Sequence, residues 1–407
     1  MESIAVVGAS LAGLRAVETL RREGFDGRLT LIGAENHLPY DRPPLSKVML
    51  AGGWDESNLS LRTNPYDDLD LDLRLGTRAS GLDLDPARRA VLLDGGDRVQ
   101  ADGILLATGS QARTMDGLPG HELDGVCTLR TVDDARDIAA RLDASPRVVV
   151  VGAGFIGSEV AATCRGRGLD VTVLEALPQP MVRGLGPMLG AVCAQLHRDH
   201  GVDLHLGAGV EGFEGDGRVE RVRLVDGRTI DADLVVVGIG VVPATDWLEG
   251  SGLTLDNGVV CDATLRAAPG VVAAGDVCRW PNPLFDGELM RLEHWTNAAE
   301  QGVAAALRLV RAGPDEAGAE PFAPVPFVWS DQYDVKIQSA GRFTGEDEVA
   351  IVHGTTEEYR FVALFGRAGR LIGALAFSRP RNLMQYRRMI FERASFAAAL
   401  EHAHAAS

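Results

Sequence analysis

Val148-Val-Val-Val-Gly152-Ala-Gly154-Phe-Ile-Gly157 is a run of four β-branched residues followed by three spaced glycines, after which a helical pattern begins. Such a run suits a strand buried on both faces. The arrangement also occurs 144 residues earlier, as Ile4-Ala-Val-Val-Gly8-Ala-Ser10-Leu-Ala-Gly13. Each copy leads to a second strand ending in an acid, Leu29-Thr-Leu-Ile-Gly-Ala-Glu35 and Val171-Thr-Val-Leu-Glu175. Strand, glycine turn, helix, strand and acid make the βαβ fingerprint of a dinucleotide site. One such motif is weak; two, each with an acid about 20 residues on, specify an α/β chain with two Rossmann-like dinucleotide-binding domains.

The three glycine places have separate jobs. The first permits a tight turn, the second lets a pyrophosphate approach the backbone, and the third lets helix pack on strand. Phosphate charge then falls on a helix N-terminus, where unpaired N–H groups favour it. Gly152, Gly154 and Gly157 fill all three places. In the first copy Ser10 takes the middle place, small enough to fit and with a hydroxyl able to donate to phosphate. The alternative is that one copy is a degenerate structural duplicate. Glu175 would repel a 2′-phosphate, and Ala176 and Leu177 offer no cation, which favours NADH over NADPH. Arg183 would reach a phosphate if its loop folded back.

Further strands end in glycine turns: Gly103-Ile-Leu-Leu-Ala-Thr-Gly109, Leu234-Val-Val-Val-Gly-Ile-Gly240 and Val271-Val-Ala-Ala-Gly275-Asp276. Beyond about residue 325 the texture changes. Segments 335–341, 349–353, 359–366 and 371–377 read as a meander, with Gly366-Arg-Ala-Gly369 as a hairpin turn and a helix from about 383. The stretch Ala312–Pro326 reads as a linker. The expected organisation is a discontinuous first nucleotide domain, 1–112 and 241–325, a second inserted at 113–240, and a smaller α+β C-terminal domain at 326–407.

Composition narrows the function. The chain of 407 residues has 46% hydrophobic and 24% charged side chains, as globular proteins do, and a net charge of −17. That charge repels nucleic acid and anionic lipid. No apolar run approaches the roughly 18 residues of a membrane helix, and Met1-Glu2-Ser3-Ile4 begins a strand, so a cytoplasmic protein is expected. Five cysteines, at 127, 164, 193, 261 and 278, are never closer than 17 residues, which excludes a CxxC pair and makes small buried hydrophobes of them. None of the nine histidines stands at metal-ligand spacing, no metal is expected, and His402 and His404 read as a frayed tail.

The chain resembles the FAD- and NAD(P)-dependent pyridine nucleotide reductases, and within them the ferredoxin reductases that feed oxygenases. The resemblance runs over essentially the whole chain. Beyond the two fingerprints it rests on Tyr40-Asp-Arg42-Pro43-Pro-Leu45-Ser46-Lys47, Ala107-Thr108-Gly109-Ser, Ala274-Gly275-Asp276-Val277, Glu293-His294-Trp295-Thr-Asn297-Ala-Ala-Glu-Gln301-Gly302 and Phe327-Val-Trp329-Ser-Asp331-Gln332-Tyr333. It implies that Gly8, Ser10, Gly13 and Glu35 hold the adenosine half of FAD. Arg42, Lys47, Thr108 and Gly109 would lie along the cofactor, and Asp276 would take its ribityl–pyrophosphate region. Gly152, Gly154, Gly157, Glu175 and Gly240 would hold NADH. Lys47 would sit beside flavin N5, paired with Glu159, while Glu293, His294, Trp295 and Trp329 close around the isoalloxazine. Lys47 stands out independently: the chain has 38 arginines and two lysines, Lys47 and Lys336, so a retained ammonium suggests a site needing a compact charge. Its alternative is a solvated lysine in a Pro-rich loop.

Relatives that reduce disulfides carry cysteine soon after the first acid, and here none lies between Glu35 and Gly76. Electrons are therefore expected to leave FAD directly for an external acceptor. Residues 365–393 hold seven arginines, 367, 370, 379, 381, 387, 388 and 393, against Glu392, with Arg308 and Arg311 as possible extensions. An acidic [2Fe–2S] ferredoxin would be steered to such a patch, though a charge run is also commonly a solvated face. Reduction of rubredoxin or of a small molecule, and a redox-sensing flavoprotein, stay open beside the ferredoxin reading.

Overall fold

The computed structural model describes residues 1–53, 56–311 and 320–405. The chain opens with β1 (Ser3–Val7), α1 (Leu11–Arg22), β2 (Arg28–Ile32), β3 (Leu71–Arg74) and β4 (Gly103–Leu106). Then come β5 (Val126–Thr128), α2 (Val132–Leu142), β6 (Val148–Val151), α3 (Phe155–Gly166) and β7 (Val171–Glu175). They are followed by α4 (Val182–Asp199), β8 (Asp203–Leu206), β9 (Leu234–Val237), β10 (Arg266–Ala268), β11 (Val271–Ala273) and α5 (Trp295–Arg311). The last stretch holds β12 (Phe327–Gln332), β13 (Val335–Gly341), β14 (Glu348–Thr355), β15 (Arg360–Arg367), β16 (Arg370–Phe377), α6 (Pro380–Phe391) and α7 (Phe396–Ala405).

Packing divides the chain into two compact units. The first comprises Met1–Asp41, Leu59–Gln111 and Val242–Pro326; the second comprises Arg42–Asn58, Ala112–Val241 and Phe327–Ser407. Residues 42–58, assigned from the sequence to the first nucleotide domain, pack with the second unit.

The first unit is built on a six-stranded sheet in the order β10-β11-β4-β1-β2-β3, parallel except for the antiparallel edge strand β10. Ile4, Val6 and Val7 of the central strand are buried, as their uninterrupted apolar pattern requires. Helix α1 buries Leu11, Leu14, Val17 and Leu20, and α5 runs so close to it that a Cβ on Gly302 would overlap the Ala12 carbonyl oxygen.

The second unit holds a five-stranded parallel sheet, β8-β7-β6-β9-β5, with Val148, Val149, Val150 and Val151 buried at its centre. It also holds a five-stranded antiparallel sheet, β12-β13-β16-β15-β14, against which α6 packs through Leu383, Tyr386 and Ile390. The structure refines the expected meander in three ways. Strand β12 adds a fifth member. The hairpin turn is the pair Ala368-Gly369, both at positive φ (51° and 75°), as a two-residue turn between right-twisted strands demands. Helix α6 starts at Pro380, where proline's fixed φ suits the first helical position.

Two other expectations change. Of the linker, residues 312–319 lie outside the described residues. Its described end is pinned to the first unit: Phe322 N–H donates to the Ala263 carbonyl at 2.8 Å, while Trp280 Nε1 and Asn282 Nδ2 donate to the Phe322 and Pro324 carbonyls. The histidines at 402 and 404 belong to α7, and the His402 ring meets Tyr386 edge-on at 5.9 Å, so this tail is ordered helix. Among the described residues no helix is long and apolar enough to cross a membrane.

Candidate active site

In the first unit the glycine turn after β1 delivers the chain to α1. Gly8 has φ 119°, and a Cβ there would overlap the Ala107 carbonyl oxygen; one on Gly13 would overlap that of Gly8. Ser10 caps α1 in an extended conformation, its hydroxyl makes no capping bond, and the first turn holds no acid. The helix end is thus a positive terminus without an internal counter-charge. Glu35, beyond β2, accepts from the Tyr40 hydroxyl at 2.6 Å.

Opposite lies the turn after β11. Gly275 has φ 77°, and its N–H donates to Gln301 Oε1 of α5 at 2.8 Å. Asp276 accepts from Ser110 Oγ at 2.7 Å and Thr108 Oγ1 donates to the Ala244 carbonyl at 2.9 Å, with Gly109 between them at φ 69°. Trp295 Nε1 donates to Asp41 at 2.7 Å, and Glu293 pairs with Arg291 at 2.8 Å, next to half-buried His294. Gln301 and Ser110 are functional candidates that the motif reading quoted without a role. Gln301 Nε2 and Asn297 Oδ1 are buried polar atoms with no hydrogen-bond partner among the described residues. Unmet polar groups beside a bare helix terminus fit the pyrophosphate and polyol of FAD.

The second unit repeats the cradle with all three glycines. Gly152 has φ 99°, and a Cβ on Gly157 would overlap the Gly152 carbonyl oxygen. Gly154 caps α3 without a side-chain bond, and a Cβ there would meet nothing nearer than the Gly238 oxygen at 4.0 Å, so the face toward a phosphate is open. Two large apolar side chains, Ile156 and Ile239, are 47% and 40% exposed at this edge of the sheet. A nucleotide with a flat aromatic ring fits such a surface. Glu175 is buried, with Oε2 accepting from Ala153 N–H at 2.8 Å and Oε1 from Leu177 N–H at 2.9 Å, so it braces the glycine loop as well as facing it. Gly240 has φ 98° and its carbonyl accepts from Arg113 N–H; Arg183 is exposed in the first turn of α4.

The second unit also brings Lys47 to Glu159. Residues Leu45–Met49 form a single π turn, with Met49 N–H bonded to the Pro44 carbonyl, a form recurrent at functional sites. Lys47 Nζ donates to Glu159 Oε2 at 2.7 Å and to the Pro43 carbonyl at 3.0 Å. Ser46 and Ser330 also donate to Glu159, and neither was singled out in the sequence. Arg42 donates to the Arg130 carbonyl at 2.6 Å, and Trp329 lies half-buried on β12, 6.4 Å from the Phe327 ring.

Cys164, Cys193, Cys261 and Cys278 are buried and Cys127 is half-buried. Burial pushes the thiols of Cys127, Cys164 and Cys193 up to about 11, 12 and 12, which leaves them poor nucleophiles at neutral pH. Cys261 and Cys278, the closest pair in sequence, meet at 3.8 Å between their sulfurs. Of the expected basic patch, Arg367, Arg381, Arg388 and Arg393 are exposed, while Arg370, Arg379 and Arg387 are half-buried. Arg367 pairs with Asp347, Arg388 with Glu392, and Arg387 lies over the Phe327 ring at 5.3 Å.

Residues 2–302 match the pyridine nucleotide-disulphide oxidoreductase family, and residues 327–405 match the reductase C-terminal family. The chain is 38% identical over 394 residues to the ferredoxin reductase component of chlorobenzene dioxygenase from Cupriavidus sp. (strain PS12), covering 96% of this chain and 93% of that protein. It is also 38% identical to rhodocoxin reductase from Rhodococcus erythropolis, covering 95% and 89%. The crystal structure of the covalent putidaredoxin reductase–putidaredoxin complex matches with a TM-score of 0.90 at 31% identity, covering 100% of this chain and 98% of that one. Two glycine cradles, the Lys47–Glu159 pair and these likenesses have one common reading: the chain belongs to the pyridine nucleotide-disulphide oxidoreductase family, among the ferredoxin reductases of oxygenase systems.

Proposed function

We propose that the protein is a cytoplasmic, NADH-dependent ferredoxin reductase serving an oxygenase. FAD is its cofactor and NADH its reductant. Bound FAD supplies the chemistry of taking a hydride from NADH and releasing its two electrons singly to a [2Fe–2S] ferredoxin. The observation that carries the reading is the pair of glycine cradles in a chain with no cysteine between Glu35 and Gly76, so that no thiol stands ready to receive electrons.

The chain's own residues then have distinct duties. Gly8, Ser10 and Gly13 leave room for the FAD pyrophosphate at the α1 terminus, Glu35 faces its ribose, and Asp276, oriented by Ser110, holds the turn beside it. Gly152, Gly154 and Gly157 do the same for NADH at α3, and the braced Glu175 carboxylate rejects a 2′-phosphate. Lys47, fixed by Glu159, supplies a positive charge to the flavin chemistry, and Trp295 and Trp329 pack against the ring system. The arginines of the β15–β16 hairpin and of α6 form the docking face for an acidic ferredoxin, supported by the seven-to-one charge balance over residues 365–393.

Stopped-flow reduction by NADH tests the reading, with and without a [2Fe–2S] ferredoxin. The expected result is fast bleaching of the flavin, then reoxidation that depends on ferredoxin and weakens with added salt. Bleaching followed by a lasting charge-transfer band that ferredoxin cannot discharge would overturn it in favour of a redox sensor.

A further inference from the structure

Three hydrogen bonds converge on Glu159, which is 3% exposed. Its Oε2 accepts from Lys47 Nζ at 2.7 Å and from Ser46 Oγ at 2.5 Å, and both donors stand on the π turn. Its Oε1 accepts from Ser330 Oγ of β12 at 2.7 Å, the one donor on that oxygen among the described residues. Ser330 is fully buried, and its own oxygen accepts from Gln332 Nε2 at 3.2 Å. Two donors on Oε2 hold that oxygen but leave the other oxygen of the carboxylate without a restraint of its own. A third donor on the other oxygen fixes its plane.

We propose that Ser330 is a positioning residue for the Lys47–Glu159 pair, pinning Oε1 so that Oε2 stays turned toward the ammonium. The inference rests on the assignment of that pair to the flavin chemistry, and it gives the C-terminal sheet a share in that chemistry separate from ferredoxin docking. A second line of bonds ties the same two segments together. Ser158, next to Glu159, meets His197 Nε2 at 3.1 Å, and His197 Nδ1 meets the hydroxyl of Tyr333, next to β12, at 2.7 Å. Strand and helix are thereby held in register, and Ser330 faces Glu159 by construction. Without the Ser330 hydroxyl, Oε1 becomes a buried acceptor with no donor; the carboxylate turns to regain one, and its hold on Lys47 loosens.

The lysine content makes this measurable. Lys47 is 19% exposed in its ion pair, and Lys336, the other lysine, is 49% exposed on β13, paired to Asp331 of β12 at 2.6 Å. Brief acetylation of the FAD-loaded protein with acetic anhydride, read by mass spectrometry, gives the labelling ratio of Lys47 to Lys336. Ser330→Ala should raise that ratio about fivefold, and Ser330→Thr, which keeps the hydroxyl, should return it to the wild-type value. An unchanged ratio in Ser330→Ala overturns the inference. So does a parallel rise at both lysines, because that reports loosened pairing of β12 with β13. The same wild-type sample, mixed with NADH, separates the two readings. A flavin that NADH does not bleach overturns the proposed function, while the labelling ratio still decides whether Ser330 holds the pair.

Discussion

His197 shows how burial sets a residue's chemistry. It is fully buried between Ser158 and Tyr333, and burial, assisted by the nearby charge of His200, lowers its imidazole from 6.5 to about 4. The folded chain therefore keeps the ring neutral down to about pH 4, whereas the unfolded chain protonates it near 6.5. Proton uptake favours unfolding between those values, so this stability is fully present above pH 6.5 and drains as pH falls toward 4, by about 3 kcal/mol. His197→Gln should flatten that part of the pH dependence, read as urea midpoints between pH 7 and 4. The two glycine loops give a second contrast at this scale. Gly13→Ala, which drives a methyl into the Gly8 carbonyl, should yield protein without bound flavin. Gly157→Ala should stay yellow and bind NADH roughly tenfold more weakly or worse, as titration of the flavin spectrum would show.

At the scale of the elements, the C-terminal sheet is fitted around missing side chains. The Phe343 ring lies where a Cβ on Gly373 of β16 would stand, and the Phe396 ring lies against Gly366 of β15. Gly373→Val should displace Phe343 from its stack on Phe365 and cost about 1–3 kcal/mol, visible as a lower chemical denaturation midpoint. The same principle explains what the sequence makes legible. Gly8, Gly13, Gly152 and Gly157 announce themselves because a positive φ or an overlapping carbonyl tolerates nothing else. The buried strands β1 and β6 are legible from unbroken apolar runs, as are Lys47, from its rarity, and Glu159, through the family resemblance. Ser330 is not, because a serine in a strand is ordinary and its partner lies 171 residues back on a helix. Gln301 is hidden in the same way, since its value lies in one bond to a backbone N–H across the fold. The π turn carries no periodic signal at all, and the meeting of Cys261 with Cys278 depends on strand pairing that a separation of 17 positions conceals.

For the whole molecule, charge decides which partner approaches and where. The net −17 belongs to the first 300 residues, since the remaining 107 carry 12 basic and 12 acidic side chains. On the proposed reading, an acidic ferredoxin would be repelled by most of the chain and tolerated by its C-terminal part. Arg381→Glu with Arg388→Glu, both exposed on α6, should raise the KM for ferredoxin about tenfold at low ionic strength, with the penalty shrinking as salt is added.

The interleaving of the two units governs how the chain can be made. The first unit needs its third segment, Val242–Pro326, and the second needs Phe327–Ser407. A ribosome that has released everything up to Val241 has therefore completed neither: β4 still lacks its neighbour β11, α1 lacks α5, and the second unit lacks its whole antiparallel sheet. Both units are completed only by segments that follow Val241. A gene split at that point, though it falls between two nucleotide cradles, would yield two fragments with no whole unit in either.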